Sequence, residues 1–379
     1  MDLDYTQEHK MLKNMVREFA TKEIGPLTEK IDQEGELPMD IIKKMGELGL
    51  MGMTVPAEYG GSRIDTVSYM IALEELGRVC GSTGLTVEAH NSLGVGHIYE
   101  RGTEEQRRRY LPDLVSGKGL AAWALTEPNA GSDAASLQTT AVLDDNEWVL
   151  NGSKQFITSG SIADVITVMA KTDKSKGAKG ISAFIVEKGT DGLEYSGEEN
   201  KMGLRGSVTS QLVLDECRIP KENLLGEPGM GFIGAMDILD RGRTAIGALA
   251  VGLAQGVLDE CMDYSKERVQ FGKPISKFQA IQWKIVDMAT NIDAARLLVH
   301  RAAYMEDKGL PFGKEAAMAK LFASEMAVKA AIDGVQIHGG YGYTKEYRVE
   351  RYFREVKLYT IGEGTSEVQK MVIAKKLGL

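Results

Sequence analysis

The chain has 379 residues, with 45 Lys plus Arg against 54 Asp plus Glu and a formal net charge of −9. That length exceeds one usual core and predicts two or three domains; a composition 43% hydrophobic and 26% charged excludes a disordered chain. The acidic balance argues against general nucleic-acid binding, and no uninterrupted apolar run of about 18 residues predicts a membrane span.

From residue 1 to about 117 the pattern is helical. Met11, Val16, Phe19, Ile24 and Ile31 recur near helical spacing, with Pro26 as a break. Asp65 and Thr103 suit helix N-caps, and Thr103–Gln106 has the form of a capping box. From about 118 to 225 short β-branched runs take over: Val165–Met169, Ile181–Val186 and Gln211–Leu214. Asn151-Gly152 between two such runs predicts a hairpin turn. The spacing fits a compact antiparallel barrel or sandwich rather than βαβ units. From about 231 onward three long apolar stripes follow, through Phe232–Cys261, Phe278–Ala302 and Ala319–Val335, with a short last helix. They predict an antiparallel four-helix bundle. The expected fold is mixed and mainly α, divided as 1–117 helical, 118–228 β and 229–379 bundle.

Cys80, Cys217 and Cys261 are odd in number and far apart, which suggests neither a disulfide framework nor a zinc site. The acidic start Met1–Tyr5 carries no signal-peptide core and no Arg-rich transit pattern, so a cytoplasmic setting is expected. The five histidines form no metal motif, and no metal is expected. Gly229–Gly234 matches G-x-G-x-x-G, but Pro220 and Pro228 precede it and no βαβ unit surrounds it. It reads as a glycine-rich linker opening a helix. Glycine is abundant, 43 residues against 9 prolines, which points to close backbone packing or to glycine loops around a ligand.

Three segments carry possible chemistry. Gly362-Glu363-Gly364-Thr365-Ser366-Glu367 sets a carboxylate between glycines, where other groups can approach. A buried Glu of raised pKa can serve as a general base; a solvated turn capped by Thr365 or Ser366 is the plainer reading of that segment alone. Trp123–Asp133 and Gln155–Gly160 are strand ends that offer backbone N–H groups and a Thr hydroxyl.

Taken together, these segments resemble the acyl-CoA dehydrogenase family, flavoenzymes that form the α,β-double bond of acyl-CoA thioesters. The resemblance rests on Leu125–Asp133, Asn151–Thr158, Arg268–Ile275, Gln336–Gly342 and Glu363–Glu367, in order along nearly the whole chain. It is nearest to the short-chain and branched-chain members. It implies a helical domain, a small β domain and a four-helix domain, with FAD as cofactor. It implies Glu363 as the base that removes the α-proton, while the β-hydride moves to flavin N5. Trp123, Leu125, Thr126, Ser132, Phe156 and Thr158 would contact the flavin. Arg268, Gln270, Phe271, Gln279, Gln336, Gly339 and Gly340 would hold FAD from a neighbouring subunit, and Thr365 and Glu367 would bind it beside the base. Ser132, Asp240, Arg243 and Gly364 would contact the acyl-CoA substrate. A shared cofactor implies a homo-oligomer, expected to be a tetramer, and electrons are expected to pass to electron-transferring flavoprotein.

Some members carry the base at the position of Gly242, which cannot serve here. Straight-chain members usually have Tyr at the position of Gly362, so the glycine leaves room for branched or cyclic acyl groups. Thr86–Asn91 lies where the family's acyl pocket is lined, so its polar residues either limit chain length or meet a polar acyl tail, or face solvent or a subunit interface, which is the reading taken for Glu88. The competing readings are an oxidase using the same flavin site, and a catalytically silent acyl-CoA-binding or helical scaffold protein.

Overall fold

A computed structural model describes residues 4–379. Seven helices open the chain: α1 (Gln7–Phe19), α2 (Thr28–Glu34), α3 (Met39–Glu47), α4 (Thr66–Val79), α5 (Gly81–Glu88), α6 (Gly96–Arg101) and α7 (Glu104–Val115). Asp65 caps α4 by accepting from Ser68 N at 2.6 Å. Thr103 and Gln106 form the reciprocal capping box of α7. Val16, Phe19, Ile24 and Ile31 are buried as their spacing predicts, whereas Met11 lies off that face and is exposed. Pro26 sits in the short 3-10 turn that separates α1 from α2.

Strands follow: β1 (Ala121–Ala124), β2 (Thr140–Asp144), β3 (Glu147–Thr158), β4 (Val165–Lys171), β5 (Ile181–Glu187), β6 (Leu193–Glu198), β7 (Thr209–Pro220) and β8 (Leu224–Leu225). They form one sheet in the order β6-β7-β3-β2-β4-β5-β8, with β1 beside β4. Pairing is antiparallel except where β4 meets β1 and β2. The hairpin expected at Asn151-Gly152 is not there. β3 runs straight through those residues, and the turn is Asp145-Asn146, where Asp144 pairs with Glu147 and Asp145 takes φ 52°. Gly152 instead marks a bulge against β7, and a Cβ there would strike Thr139.

The rest is helical: α8 (Gly231–Glu267), a small ribbon β9 (Val269–Gln270) and β10 (Lys273–Pro274), α9 (Gln279–Asp307), α10 (Gly313–His338), α11 (Arg348–Val356) and α12 (Ser366–Leu377). α8, α9 and α10 pack on one another, and the short last helix α12 packs against α10. By length and composition α8 could cross a membrane, but 72% of its most apolar stretch is buried inside the fold, so it is a core helix here. The G-x-G-x-x-G run opens α8, as read. Gly229 N donates to Ser182 Oγ at 2.8 Å, and Gly231 lies so close to the β5 backbone that a Cβ would clash with it.

Candidate active site

Between α11 and α12 the chain makes a tight turn that presents Glu363. Glu363 takes φ 53° and Gly364 φ 93°, a left-handed pair that costs a non-glycine residue ~1–2 kcal/mol. Four side-chain bonds hold it. Lys320 Nζ, from α10, donates to Gly364 O at 2.7 Å. Gln369 Nε2 donates to Gly364 O at 2.8 Å and to Glu363 O at 3.2 Å. Thr365 caps α12 by accepting from Val368 N at 3.3 Å. The carboxyl points at α8: Oε2 is sealed from solvent without a hydrogen-bond partner, and a Cβ on Gly242 would collide with it. The two positions at which the family carries its base therefore converge on one point in space. At Gly362, by contrast, a Cβ would meet only Leu358, at 3.6–4.0 Å. Its glycine is required neither by φ nor by crowding.

The surroundings of Glu363 set its proton affinity. Burial pushes its carboxyl up to about 7, against smaller opposing effects of Glu88, Lys320 and Arg243. Lys320 is itself fully buried, and burial brings its ammonium down to about 8. Arg243 is buried and pairs with Asp240 one turn away on α8. Arg243 thus acts on Glu363 while holding Asp240. Glu88 corrects the sequence reading. It faces neither solvent nor a neighbouring subunit; it is 0% exposed within this one chain, at the end of α5, beside Glu363. The rest of its segment is structural. Asn91 bonds Met53 N, Leu50 O and Val87 O. His90 accepts from Ala121 N and donates to Met51 O, and burial holds its imidazole down to about 4, hence neutral.

The two β-domain motifs are tied by a pair that sequence reasoning passed over. Lys154 Nζ, on β3, donates to Glu127 Oε1 at 2.8 Å and to Leu125 O at 3.2 Å. Glu127 also accepts from Gln138 N and from Thr139 N, the latter at 2.9 Å. Burial brings Lys154 down to about 8; at Glu127 burial raises the carboxyl, but the Lys154 ammonium and the hydrogen bonds from Gln138 and Thr139 together hold it below its usual range. Gln155 N donates to Thr126 O at 2.9 Å, so Leu125-Thr126 and Gln155–Thr158 lie side by side. Phe156 projects from this ledge at φ 58° and is 62% exposed. Ser132 is exposed, Thr158 half-buried, and Trp123 Nε1 donates to His97 Nδ1 at 2.9 Å.

A second cluster forms around Arg268. Its guanidinium lies 5.3 Å over the Tyr341 ring, and Tyr264 stacks on His338 at 4.2 Å. This brings the Arg268–Phe271 ribbon beside the end of α10, where Gln336, Gly339 and Gly340 are exposed. Gly339 takes φ 62°, and a Cβ on either glycine would meet nothing within 4 Å. Gln270, Gln279 and Glu367 are exposed, and Phe271 is 93% exposed on its turn.

Family comparison decides what this arrangement is. The N-terminal, middle and C-terminal domain descriptions of acyl-CoA dehydrogenase match residues 6–118, 122–217 and 229–378. The chain belongs to the acyl-CoA dehydrogenase family. It is 53% identical over 100% of both chains to a probable acyl-CoA dehydrogenase, YngJ, of Bacillus subtilis. It is 48% identical, again over 100% of both, to a short-chain-specific acyl-CoA dehydrogenase of Clostridium acetobutylicum. The solved butyryl-CoA dehydrogenase of Megasphaera elsdenii superposes with a TM-score of 0.98 at 44% identity, covering 100% of each chain. The protein is accordingly a flavin-dependent oxidoreductase with FAD as its cofactor. The residues suit that group. Phe156 offers an uncovered ring beside the backbone edge of Leu125-Thr126 and the Thr158 hydroxyl, while Arg268 and the open Gly339-Gly340 turn offer a cation and an unobstructed backbone for a diphosphate.

Proposed function

We propose that the chain catalyses α,β-dehydrogenation of a short-chain, branched or cyclic acyl-CoA thioester, with Glu363 removing the α-proton. The observation that carries this reading is the Glu363 carboxyl, sealed against Gly242 and free of any hydrogen-bond partner at Oε2. A desolvated carboxylate is a stronger base than a hydrated one, which removal of a weakly acidic α-proton demands. The Glu363 N–H, turned by the left-handed backbone, is available to the thioester oxygen on which negative charge develops. Asp240 and Arg243 hold the acyl-CoA near the base. FAD, held by Leu125, Thr126, Ser132, Phe156 and Thr158, supplies the hydride acceptor.

Two features favour a short or branched acyl group. Gly362 leaves lateral space beside the base, and relatives carry short-chain-specific and butyryl-CoA names. Electrons pass on to electron-transferring flavoprotein, and the working unit is a homotetramer in the cytoplasm. An anaerobic bleaching screen over straight, branched, cyclic and dicarboxylic acyl-CoAs tests the reading. Bleaching by butyryl-, isobutyryl- or cyclic acyl-CoA supports it; no bleaching by any acyl-CoA overturns it.

A further inference from the structure

Glu88 is a carboxyl with no visible reason to be where it is. It ends α5, it is 0% exposed, and neither of its oxygens has a hydrogen-bond partner. The groups around it come from four elements. Tyr69, on α4, donates to the Glu88 carbonyl at 3.4 Å and shares a 3.0 Å bond with Ser92 Oγ, which fixes the last turn of α5. Ser92 lies beside the carboxyl, the Tyr359 hydroxyl feels its charge from the segment after α11, and Glu363 faces it from the turn before α12. The nearby cations are committed elsewhere. Lys320 holds Gly364 O and faces Glu363, and Arg243 is paired with Asp240. Burial and the facing Glu363 both act against an ionised Glu88.

Two carboxyls this close are not both charged, because Glu88 is cut off from solvent and an ionised Glu363 beside it opposes a second negative charge there. One proton must lie between them. A protonated carboxyl has one O–H to donate, and the acceptor facing Glu88 is the otherwise unpartnered Glu363. We infer that Glu88 is a positioning residue: it keeps its proton and donates it as a hydrogen bond to the Glu363 carboxylate, which holds the base ionised and aimed while the acyl site is empty. Glu88 exchanges no proton with substrate. The α-proton goes to Glu363, and the Glu88 O–H bond stays intact throughout. Donation to an ionised carboxylate favours its charged form, so Glu88 also sets the pH above which the base works.

This inference rests on Glu363 being the base, and the test separates the two. In the FAD-loaded enzyme with butyryl-CoA, Glu88→Ala should move the acid limb of anaerobic flavin bleaching up by about one to two pH units. Glu88→Gln keeps an N–H donor and should bring the limb back to within about half a unit of the parent. A merely structural role would move neither limb in this pattern. Independently of turnover, an infrared difference between parent and Glu88→Gln at neutral pH should show the C=O stretch of a protonated buried carboxyl. An unmoved limb in Glu88→Ala, or no such band in the parent, overturns the assignment. Bleaching that survives in Glu363→Gln would instead overturn the reading of Glu363 as base.

Discussion

Glu363 sits in a left-handed backbone, against a glycine, with a carboxyl that burial has made hard to ionise. Each property is a cost to folding that a general base can use. Gly242→Ala should push the carboxyl aside and slow flavin reduction by about 10- to 100-fold with flavin content retained; stopped-flow bleaching at the parent rate would contradict this. The base must be unprotonated to act, and its carboxyl lies near 7 rather than at its ordinary value of 4.5. Bleaching should therefore rise with pH through about 7 and fall about tenfold per unit below it; a limb near the ordinary value would show that the base is not desolvated. Gly362→Tyr should impair branched and cyclic substrates while sparing butyryl-CoA, and equal losses on both would remove Gly362 from the specificity argument. At this scale the sequence was readable only in part. Glu363 stood out because glycines flank it. Glu88 did not, because its neighbours Thr86, His90 and Asn91 are polar and suggest a solvated face. Their burial comes from α5 being wrapped on all sides, which no local pattern encodes.

The elements around the flavin ledge show why its two sequence blocks look as they do. Leu125–Asp133 and Asn151–Thr158 are far apart in the chain, yet Lys154 and Glu127 lock them together in a buried ion pair. Removing one partner leaves an uncompensated buried charge. Lys154→Met should therefore cost about 3–5 kcal/mol in denaturant unfolding and loosen flavin binding, while a loss within about 0.5 kcal/mol would mean that the pair is not structural. The long helices, the Asp65 cap, the Thr103–Gln106 capping box and the order helical, β, helical were legible, because periodicity and capping are local. The Asn151-Gly152 turn was not, although it is the best hairpin dipeptide in the segment. Pairing of β3 with β2 and β7 along both edges overrides that preference, and Asn151 spends its side chain on Glu216 instead.

Across the whole molecule α8 is the spine, and several of its glycines sit at close contacts. Its start abuts β5, its middle abuts Glu363, and Gly252 lies so close to Glu74 O of α4 that a Cβ would strike it. A helix that must touch a sheet, a base and two helical layers needs small residues on several faces, beside the buried apolar stripe of Ala235, Leu239, Ile246, Leu249, Leu253, Val257 and Cys261. Several aromatic side chains remain uncovered on the C-terminal half, including Phe271, Trp283 and Tyr343. They border the Arg268 cluster and the α9–α10 face, which the proposed shared-cofactor arrangement would set against a neighbouring subunit. Light scattering should report a tetramer, and Phe271→Ala should lower the flavin-to-protein ratio; a fully flavinated monomer would contradict that arrangement. The most direct measurement is an anaerobic titration of FAD-loaded Glu363→Gln with butyryl-CoA. The account predicts a yellow protein that binds the thioester and does not bleach. Bleaching at a rate near the parent's would place the base elsewhere and contradict the central claim.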